Sequence, residues 1–265
     1  MICYPMISNK NITIFEKDSK IFLKSRYLPY RDILLNETSL LILNECLKSS
    51  DSNKIKNKIM SLYNCTNEKQ VEKDIEFVLK TFSNLGILEW ANEYNPFAKE
   101  ITNLDRYLIK KCNASDAKKV FNNVGLNFIN VISAKYSMLT NIDNLIYAIM
   151  IGKFQLYEIY DENNKIIFRI CLERQIYDSI LSVLSISWAD SINSETIKKF
   201  IELIIHYFSQ EFNILISNIN EVGLIIKCLE NNSLKKLKEV GFDCIGTLFD
   251  ETTDNVQCLL NKVKL

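Results

Sequence analysis

The sequence contains few of the residues that bind metals or interrupt a regular backbone. Its 265 residues include one histidine, three prolines and six glycines. None of the eight cysteines forms a C-x-x-C pair, and a structural zinc site usually needs such pairs or several histidines. We therefore expect no metal site. We also expect the cysteines to be buried and reduced, as in a cytoplasmic protein.

An excess of one charge is also missing, as are long hydrophobic runs. Lys and Arg number 32, as do Asp and Glu, so the formal net charge is zero. This balance argues against a general nucleic-acid binder, whose phosphate contacts need a positive excess. The apolar runs fall far short of the roughly 18 residues of a membrane span, and the first residues lack the pattern of a signal peptide. We expect a cytoplasmic protein whose partners include neither a nucleic acid nor a membrane.

Apolar residues make up 48% of the chain, which is enough to build a core in one or two domains. The polar stretch 91–97, which contains Pro96, separates two regions of regular pattern. We place the domain boundary in this stretch. The expected domains cover residues 1–92 and 100–265.

The first region has the pattern of a small sheet followed by three helices. β-Forming residues at 11–15 and 21–23 flank a polar turn and predict a hairpin, and residues 33–35 predict a third strand. Asn36 or Thr38, then Asp51 or Ser52, and then Asn67 can cap the helices, while Gly86 is suited to end the third one. Apolar residues at helical spacing predict the buried face of the third helix: Val71, Ile75, Val78, Phe82 and Leu85.

Two stretches of this region are similar to a known family. The run Asp32–Leu43 resembles the "LLN-x-T-x-x-x-IL" stretch of PqqD-like domains, and Val71–Leu79 followed by Leu85–Leu88 is similar to the final helix and ending of that family. The resemblance covers roughly residues 10 to 90. It implies a winged-helix-like element that recognises the leader of a ribosomally made precursor peptide.

The docking mode of that family implies a leader lying along the third strand and against the exposed side of the third helix. A free sheet edge can accept such an extended peptide as another strand. The residues expected to contact it are Ile33, Leu34, Leu35, Glu72, Glu76, Leu79, Lys80 and Ser83. Two alternatives remain: that residues 33–35 form only a core strand, or that the lysine-rich helices bind DNA. Acidic residues on the third helix weigh against DNA binding because they repel phosphate.

The second region predicts the element order β-α-α-β-β-β-α-β-α-β-β. Its longest helix has one apolar side formed by Ile197, Phe200, Ile201, Ile204, Ile205 and Phe208. Residues Asn232–Leu248 look like the ending "N-x-x-S-x-x-x-x-E-K-x-G-F-x-x-x-G-x-x-R" of the GNAT acyltransferases, in the branch of ribosomal-protein N-acetyltransferases. The expected class is thus α+β, with a winged-helix-like domain before a mixed-sheet acyltransferase domain.

The second resemblance implies transfer of an acyl group from acetyl-coenzyme A, or from another acyl-coenzyme A, to an amine. The family holds the pyrophosphate on backbone N–H groups where a splayed strand enters a helix. The residues at the corresponding places in this sequence, which the resemblance implies as cofactor-binding, are Ser187, Ser191, Ile192, Asn193, Ser194, Thr196, Asn232 and Ser233. The sequence departs from the family in several respects. No glycine occurs between Gly152 and Gly223, Glu195 puts a negative charge near the loop, Leu237 stands where a catalytic tyrosine is frequent, and Asn232 sits directly before Ser233 and not three residues earlier.

Candidate catalytic groups lie on the predicted central strands. Glu158 or Glu173 can take a proton from an amine, and Tyr177 can act as an acid. A residue of this kind is more often just a half-exposed strand residue.

Together the two resemblances predict an N-acyltransferase that modifies a precursor peptide whose leader is held by the first domain. The alternative is a non-catalytic adaptor whose acyltransferase fold only docks a peptide or another maturation enzyme. A third possibility is an acetyltransferase for small amines that needs no leader.

Overall fold

A computed structural model describes residues 4–28, 31–90, 95–104, 106–120, 128–132, 142–177, 180–211, 221–228, 231–249 and 255–264. The chain divides into two compact units. The first comprises Met1–Ala98, Cys112–Lys118 and Ile142–Ile151, and the second comprises Lys99–Lys111, Lys119–Asn141 and Gly152–Leu265. One division falls close to the boundary expected at Pro96, but two later segments group with the first unit rather than with residues 100–265.

Two small antiparallel sheets belong to the first unit. Strands β2 (Ile12–Lys17), β3 (Lys20–Ser25) and β4 (Asp32–Leu35) form a sheet of order β2-β3-β4, and β1 (Pro5–Met6) pairs with β5 (Glu89–Trp90). The turn between β2 and β3 consists of Asp18 and Ser19, both with positive φ. This geometry is that of a tight two-residue hairpin, so the predicted hairpin is confirmed.

The α-helices described in the first unit are α1 (Glu37–Leu47), α2 (Ser52–Tyr63), α3 (Glu68–Asn84) and α4 (Ile142–Met150). Asn36, Asp51 and Asn67 cap the first three helices, each accepting a hydrogen bond from a backbone N–H of the first turn. These caps confirm one predicted alternative at each helix. Gly86 follows α3 with a φ of 67°, a conformation that glycine adopts without strain.

The second unit contains a nine-stranded mixed sheet. Its strands are β6 (Lys99–Leu104), β7 (Tyr107–Lys111), β8 (Phe128–Ile132), β9 (Phe154–Tyr160), β10 (Ile166–Tyr177), β11 (Ile180–Ala189), β12 (Glu221–Cys228), β13 (Asp243–Phe249) and β14 (Asn255–Lys264). The order is β13-β14-β12-β11-β10-β9-β7-β6, with β8 attached to β11. The β11–β12 pair is parallel and the other pairs are antiparallel.

The α-helices described in the second unit are α5 (Ser194–Glu211) and α6 (Asn231–Glu239). All six apolar residues predicted for the longest helix are buried, and they pack in the same core as β9, β10 and β11. The expected combination of helices with a mixed sheet is thereby confirmed.

The structure differs from the sequence-based elements at several places. A strand, β6, precedes the expected first strand, and Ala114–Val120 forms a 3-10 helix where an α-helix was expected. Helix α6 begins at Asn231, so Ser233, expected near the cofactor, lies in its first turn. A helix expected somewhere between Phe128 and Met150 is present as α4, but β8 occupies residues 128–132.

None of the cysteines with described side chains forms a disulfide, but they are not uniformly buried. Cys46, Cys112 and Cys171 are buried, Cys65 is half-buried and Cys244 is exposed on β13. Burial raises the pKa of the Cys171 thiol, which makes it an inert core residue. The expectation of buried cysteines is therefore wrong for Cys244.

Candidate functional site

A groove of about 900 Å³ lies in the first unit between the β3–β4 part of its sheet and helix α3. Apolar side chains form its centre, and Lys20, Glu37 and Asp74 add charges. The residues lining it are Ser19, Lys20, Ile21, Ile33, Leu34, Leu35, Asn36, Glu37, Thr38, Ser39, Asp74, Phe77, Val78, Thr81 and Phe82.

Two large apolar side chains of the groove are unusually exposed. Leu34 on β4 is 58% exposed, and Phe77 on α3 is 72% exposed. Exposed apolar surface is stabilised when a partner covers it, and adjacent exposed groups of this kind mark binding surfaces.

Strand β4 is the last strand of its sheet, with β3 on one side. An edge strand presents backbone N–H and C=O groups that another extended chain can pair with. The groove therefore combines an apolar surface, which selects side chains, with a strand edge, which binds a backbone.

The predicted β4 residues all line this groove, but they differ in exposure. Leu34 is exposed, Ile33 is half-buried and Leu35 is buried. Leu34 is therefore the residue of the three with the most surface available to a partner.

The predicted contacts on α3 lie on other faces of the helix. Leu79 and Ser83 are fully buried in the first unit, so the expectation that they contact a peptide is wrong. Glu72 binds Lys56 of α2 at 2.9 Å, while Glu76 and Lys80 are exposed and do not line the groove. The groove is instead lined on α3 by Asp74, Phe77, Val78, Thr81 and Phe82.

A second candidate site lies where β11 leads into α5. Asn193 caps α5 because its side-chain oxygen accepts a hydrogen bond from the Thr196 N–H at 2.8 Å. A pocket of about 310 Å³ adjoins this turn. Its lining residues are Arg106, Tyr107, Asp161, Glu162, Ile167, Ser191, Ile192, Asn193 and Thr196.

Four of the residues predicted to bind the cofactor therefore meet in one pocket: Ser191, Ile192, Asn193 and Thr196. Ser194 is exposed and does not line it, and Ser187 is buried within β11. Asn232 and Ser233 belong to the first turn of α6; their side chains lie outside the described part of the structure.

The charges of this pocket are mixed. Arg106 donates a hydrogen bond to the Tyr107 hydroxyl at 3.2 Å, and this contact raises the pKa of its guanidinium. The guanidinium and the N-terminus of α5 both favour an anion. Asp161 and Glu162 in the same lining oppose it. The pocket therefore has elements of an anion site without a uniformly positive surface.

Strand β11 changes its partner halfway along its length. Residues Ile180, Leu181 and Ser182 pair in parallel with β12, and residues 185–189 pair with β8 instead. Strand β11, which leads to the predicted cofactor turn, therefore pairs with β8 along this edge up to Ala189. As long as β8 pairs there, the residues present do not fit an acyl-coenzyme A laid along this edge.

The candidate base Glu158 belongs to a buried ion pair. Its carboxylate accepts hydrogen bonds from Arg169 Nε at 2.9 Å and from the Tyr160 hydroxyl at 2.5 Å, and Arg169 Nη2 lies 2.9 Å from it. Glu158 is 0% exposed. A substrate amine would have to displace these partners, so the arrangement is that of a structural ion pair.

The other two candidates both lie on β10. Glu173 is 5% exposed and lies opposite Phe154 on β9. Tyr177 lies at the end of β10 opposite Ile180, but its side chain is outside the described part. The structure thus places the three predicted catalytic residues on two neighbouring strands without joining them to the pocket at Asn193.

Within the described residues, no group of three or more His, Cys, Asp or Glu side chains is arranged to hold a metal ion. No helix in the described ranges is long and apolar enough to cross a membrane.

No protein-family model matches the chain, and no curated protein matches it. Solved structures with some similarity include spermidine N-acetyltransferase from Vibrio cholerae in a dodecameric intermediate state. It has 14% identity and a TM-score of 0.39, with 59% of this chain and 94% of that one covered.

Two further similar structures are also acetyltransferases. Ribosomal-protein-S5-alanine acetyltransferase from Vibrio fischeri has 12% identity and a TM-score of 0.38, covering 60% of this chain and 94% of that one. Nourseothricin acetyltransferase has 9% identity and a TM-score of 0.38, covering 59% of this chain and 98% of that one. These likenesses are weak, and the proposals that follow rest on the residues and geometry of the chain itself.

Proposed function

We propose that the protein is an N-acyltransferase that acts on a ribosomally made precursor peptide. The first unit binds the leader as an extended strand on β4. The second unit transfers an acyl group, most simply acetyl, from a coenzyme A thioester to an amine of the tethered peptide. The groove between β4 and α3 is the observation on which this proposal chiefly depends.

The form of the groove favours a peptide over a small metabolite. A small apolar ligand is usually enclosed by its pocket, whereas Leu34 and Phe77 here remain 58% and 72% exposed. An extended peptide paired with β4 projects alternate side chains to one face, where they can cover both residues. Backbone hydrogen bonds would supply affinity, and this apolar contact would supply selectivity.

Tethering makes the second step plausible even with a weak acceptor site. A peptide held by its leader presents its remaining residues at an effective concentration on the order of millimolar. The acyl-transfer site can then recognise little beyond an amine and still modify the correct peptide.

Three features support acyl transfer by the second unit. Residues Asn232–Leu248 resemble a GNAT ending, and the parallel pair β11–β12 separates after Ser182. The turn after β11 also joins a pocket at the N-terminus of α5, where backbone N–H groups favour an anion.

A second candidate function is an adaptor that binds a peptide without catalysis. The pairing of β8 with residues 185–189 favours it, because this pairing takes the strand edge beside the cofactor turn. The absence of glycine between Gly152 and Gly223 points the same way, because glycine lets a backbone approach phosphate closely.

Fluorescence anisotropy with labelled synthetic peptides of about 20 residues, tiling the short reading frames that flank the gene, tests the leader site. We expect one tile to bind and to protect the β4 amides from hydrogen exchange. If a tile binds but the protected amides lie outside β4 and α3, the leader site is wrong.

Acyl transfer is tested separately by incubating the protein with acetyl-coenzyme A and the full precursor, and following thiol release and a mass increase of the peptide. The adaptor predicts peptide binding with no thiol release. An acetyltransferase for small amines predicts thiol release with spermidine and no peptide.

A further inference from the structure

Strand β8 occupies the edge of β11 at the point where β11 and β12 separate. The register runs antiparallel from Ser185 opposite Ile132 to Ala189 opposite Phe128. Beyond Ser182 and Ile225, β12 continues to Cys228 in pairing with β14 and no longer pairs with β11. The gap between the two diverging strands is therefore entered by a five-residue segment from an earlier part of the same chain.

This strand is bound on one side only. Within the described residues, β8 pairs with β11 and with no other strand, and α6 packs near it. Each interior strand of the main path, by contrast, has a pairing partner on both sides. A short strand with a single partner contributes fewer backbone hydrogen bonds to the sheet, so it separates more easily than its neighbours.

The same edge suits an extended acyl donor. The pantetheine arm of coenzyme A contains two secondary amides, which can hydrogen-bond to a strand edge as a peptide backbone does. An arm that started at the turn after Ala189 and ran back along β11 would need the backbone groups of residues 185–189. Those are the residues that β8 now pairs with.

We propose that β8 is an autoinhibitory strand that competes with the acyl donor for the edge of β11. This inference rests on the proposed acyltransferase function and adds a form of regulation to it. The second unit binds acyl-coenzyme A only when β8 leaves β11. The apparent affinity for the donor is then its intrinsic affinity multiplied by the fraction of molecules in which β8 is displaced.

A reversible disulfide between β8 and β11 tests the competition. Phe128→Cys and Ala189→Cys, at directly opposed positions, can be joined by oxidation at the separation of paired strands. The probe is acetyl-coenzyme A, titrated by calorimetry into the full-length double variant before and after reduction. We expect binding to the oxidised form to be at least about tenfold weaker than to the reduced form.

The control is Ala189→Cys alone under the same oxidation and reduction, which shows the effect of oxidising the native cysteines. Thermal unfolding of both forms verifies that each is folded. Equal affinity of the oxidised and reduced double variants overturns the autoinhibition but leaves acyl-coenzyme A binding, and hence the proposed function, in place.

A second pair of variants covers the case in which the wild-type protein binds no acetyl-coenzyme A. In an antiparallel pair, every second residue of a strand forms backbone hydrogen bonds with the partner strand. One of the two adjacent residues Asn130 and Val131 therefore donates its N–H to β11, and substituting that residue by proline removes the hydrogen bond. Binding gained in one of these variants supports the proposal. If both fold and neither binds, the autoinhibition and the acyltransferase function are both overturned.

Hydrogen exchange supplies a readout that needs no variant. We expect acetyl-coenzyme A to raise the exchange of amides in residues 128–132 while those of residues 185–189 stay protected by the new ligand. Bound acetyl-coenzyme A with unchanged exchange in β8 would contradict the competition directly.

Discussion

Leu34 on β4 and Phe77 on α3 line the same groove, and more than half of each side chain is exposed. An edge strand and a helix thus present an open apolar surface beside unpaired backbone positions. Leu62 at the end of α2 is a natural comparison, because it is 60% exposed but lies outside the groove.

The first prediction concerns peptide binding. Leu34→Ala removes apolar surface that a bound peptide would cover, so the affinity for a leader peptide should fall by about tenfold, which corresponds to about 1.4 kcal/mol. Leu62→Ala removes the same atoms from an equally exposed site and should leave affinity unchanged. Anisotropy titrations of the two variants measure the difference, and equal affinities would place the peptide elsewhere.

Much of the first unit could be predicted from sequence because local signals determine it. Asn36, Asp51 and Asn67 cap the helices as expected. Val71, Ile75 and Phe82 of the predicted apolar stripe of α3 are buried as expected. The position of Leu79 could not be predicted, because it is adjacent to Val78 and either residue can belong to a helical stripe. Leu79 is buried at 1% exposure, and Val78 turns to the groove. Val78 also packs against the core, so the error was to leave Leu79 out of the core and to count it among the peptide contacts.

The second unit shows what periodicity cannot detect. The apolar side of α5 was clear because six residues repeat at helical spacing. Strand β8 was not, because a five-residue segment with four apolar residues fits a buried helix as well as a strand. Its pairing with β11 is a long-range contact that no local pattern contains. For the same reason, no local pattern indicates that β8 fills the edge beside the expected cofactor turn.

Gly86 supplies a second prediction, about stability. Its φ is 67°, and a Cβ added there would collide with Ile146 Cγ2. Gly86→Ala should therefore lower the free energy of unfolding by about 2 to 4 kcal/mol. Gly246→Ala is the matched control, since no atom lies within 4 Å of its added Cβ. Alanine in that strand should raise the free energy of unfolding by about 0.5 kcal/mol. Urea unfolding distinguishes the opposite signs.

The third prediction is a pH dependence centred on Glu45. A hydrogen bond from Lys58 at 2.6 Å, with further ones from Lys48 and Ser50, lowers the pKa of this carboxyl. A group whose pKa is lower in the folded state stabilises the protein above its unfolded pKa, about 4.3 for Glu. That stabilisation is lost as the pH falls through the folded value.

Glu45→Gln should therefore lower the free energy of unfolding at pH 7 by about 1 kcal/mol and have little effect near pH 3. Glu76→Gln changes an exposed carboxylate on α3 and serves as the control. Chemical unfolding at a series of pH values tests this. A Glu45→Gln deficit that persists unchanged at pH 3 would mean that packing, and not charge, accounts for it.

The fourth prediction separates a structural from a catalytic role for Glu158. Arg169→Met removes one cation from the buried carboxylate, with Lys110 remaining opposite it on β7, and should lower the free energy of unfolding by about 3 to 5 kcal/mol. Adding Glu158→Leu removes the charge that was left behind, so the double variant should recover most of that loss. Urea unfolding of both single variants and the double variant closes the cycle.

A base at the acyl-transfer site would behave in the opposite way. Glu158→Gln would then abolish thiol release while changing stability little, because a catalytic carboxylate acts on the substrate amine and has no need of a resident cation. The 2.9 Å contacts with Arg169 and the 2.5 Å contact with Tyr160 predict instead that the Glu158→Gln variant is less stable than the wild-type protein. Any thiol release by the folded fraction should persist at the wild-type rate. Full stability combined with no thiol release would restore Glu158 as the catalytic base.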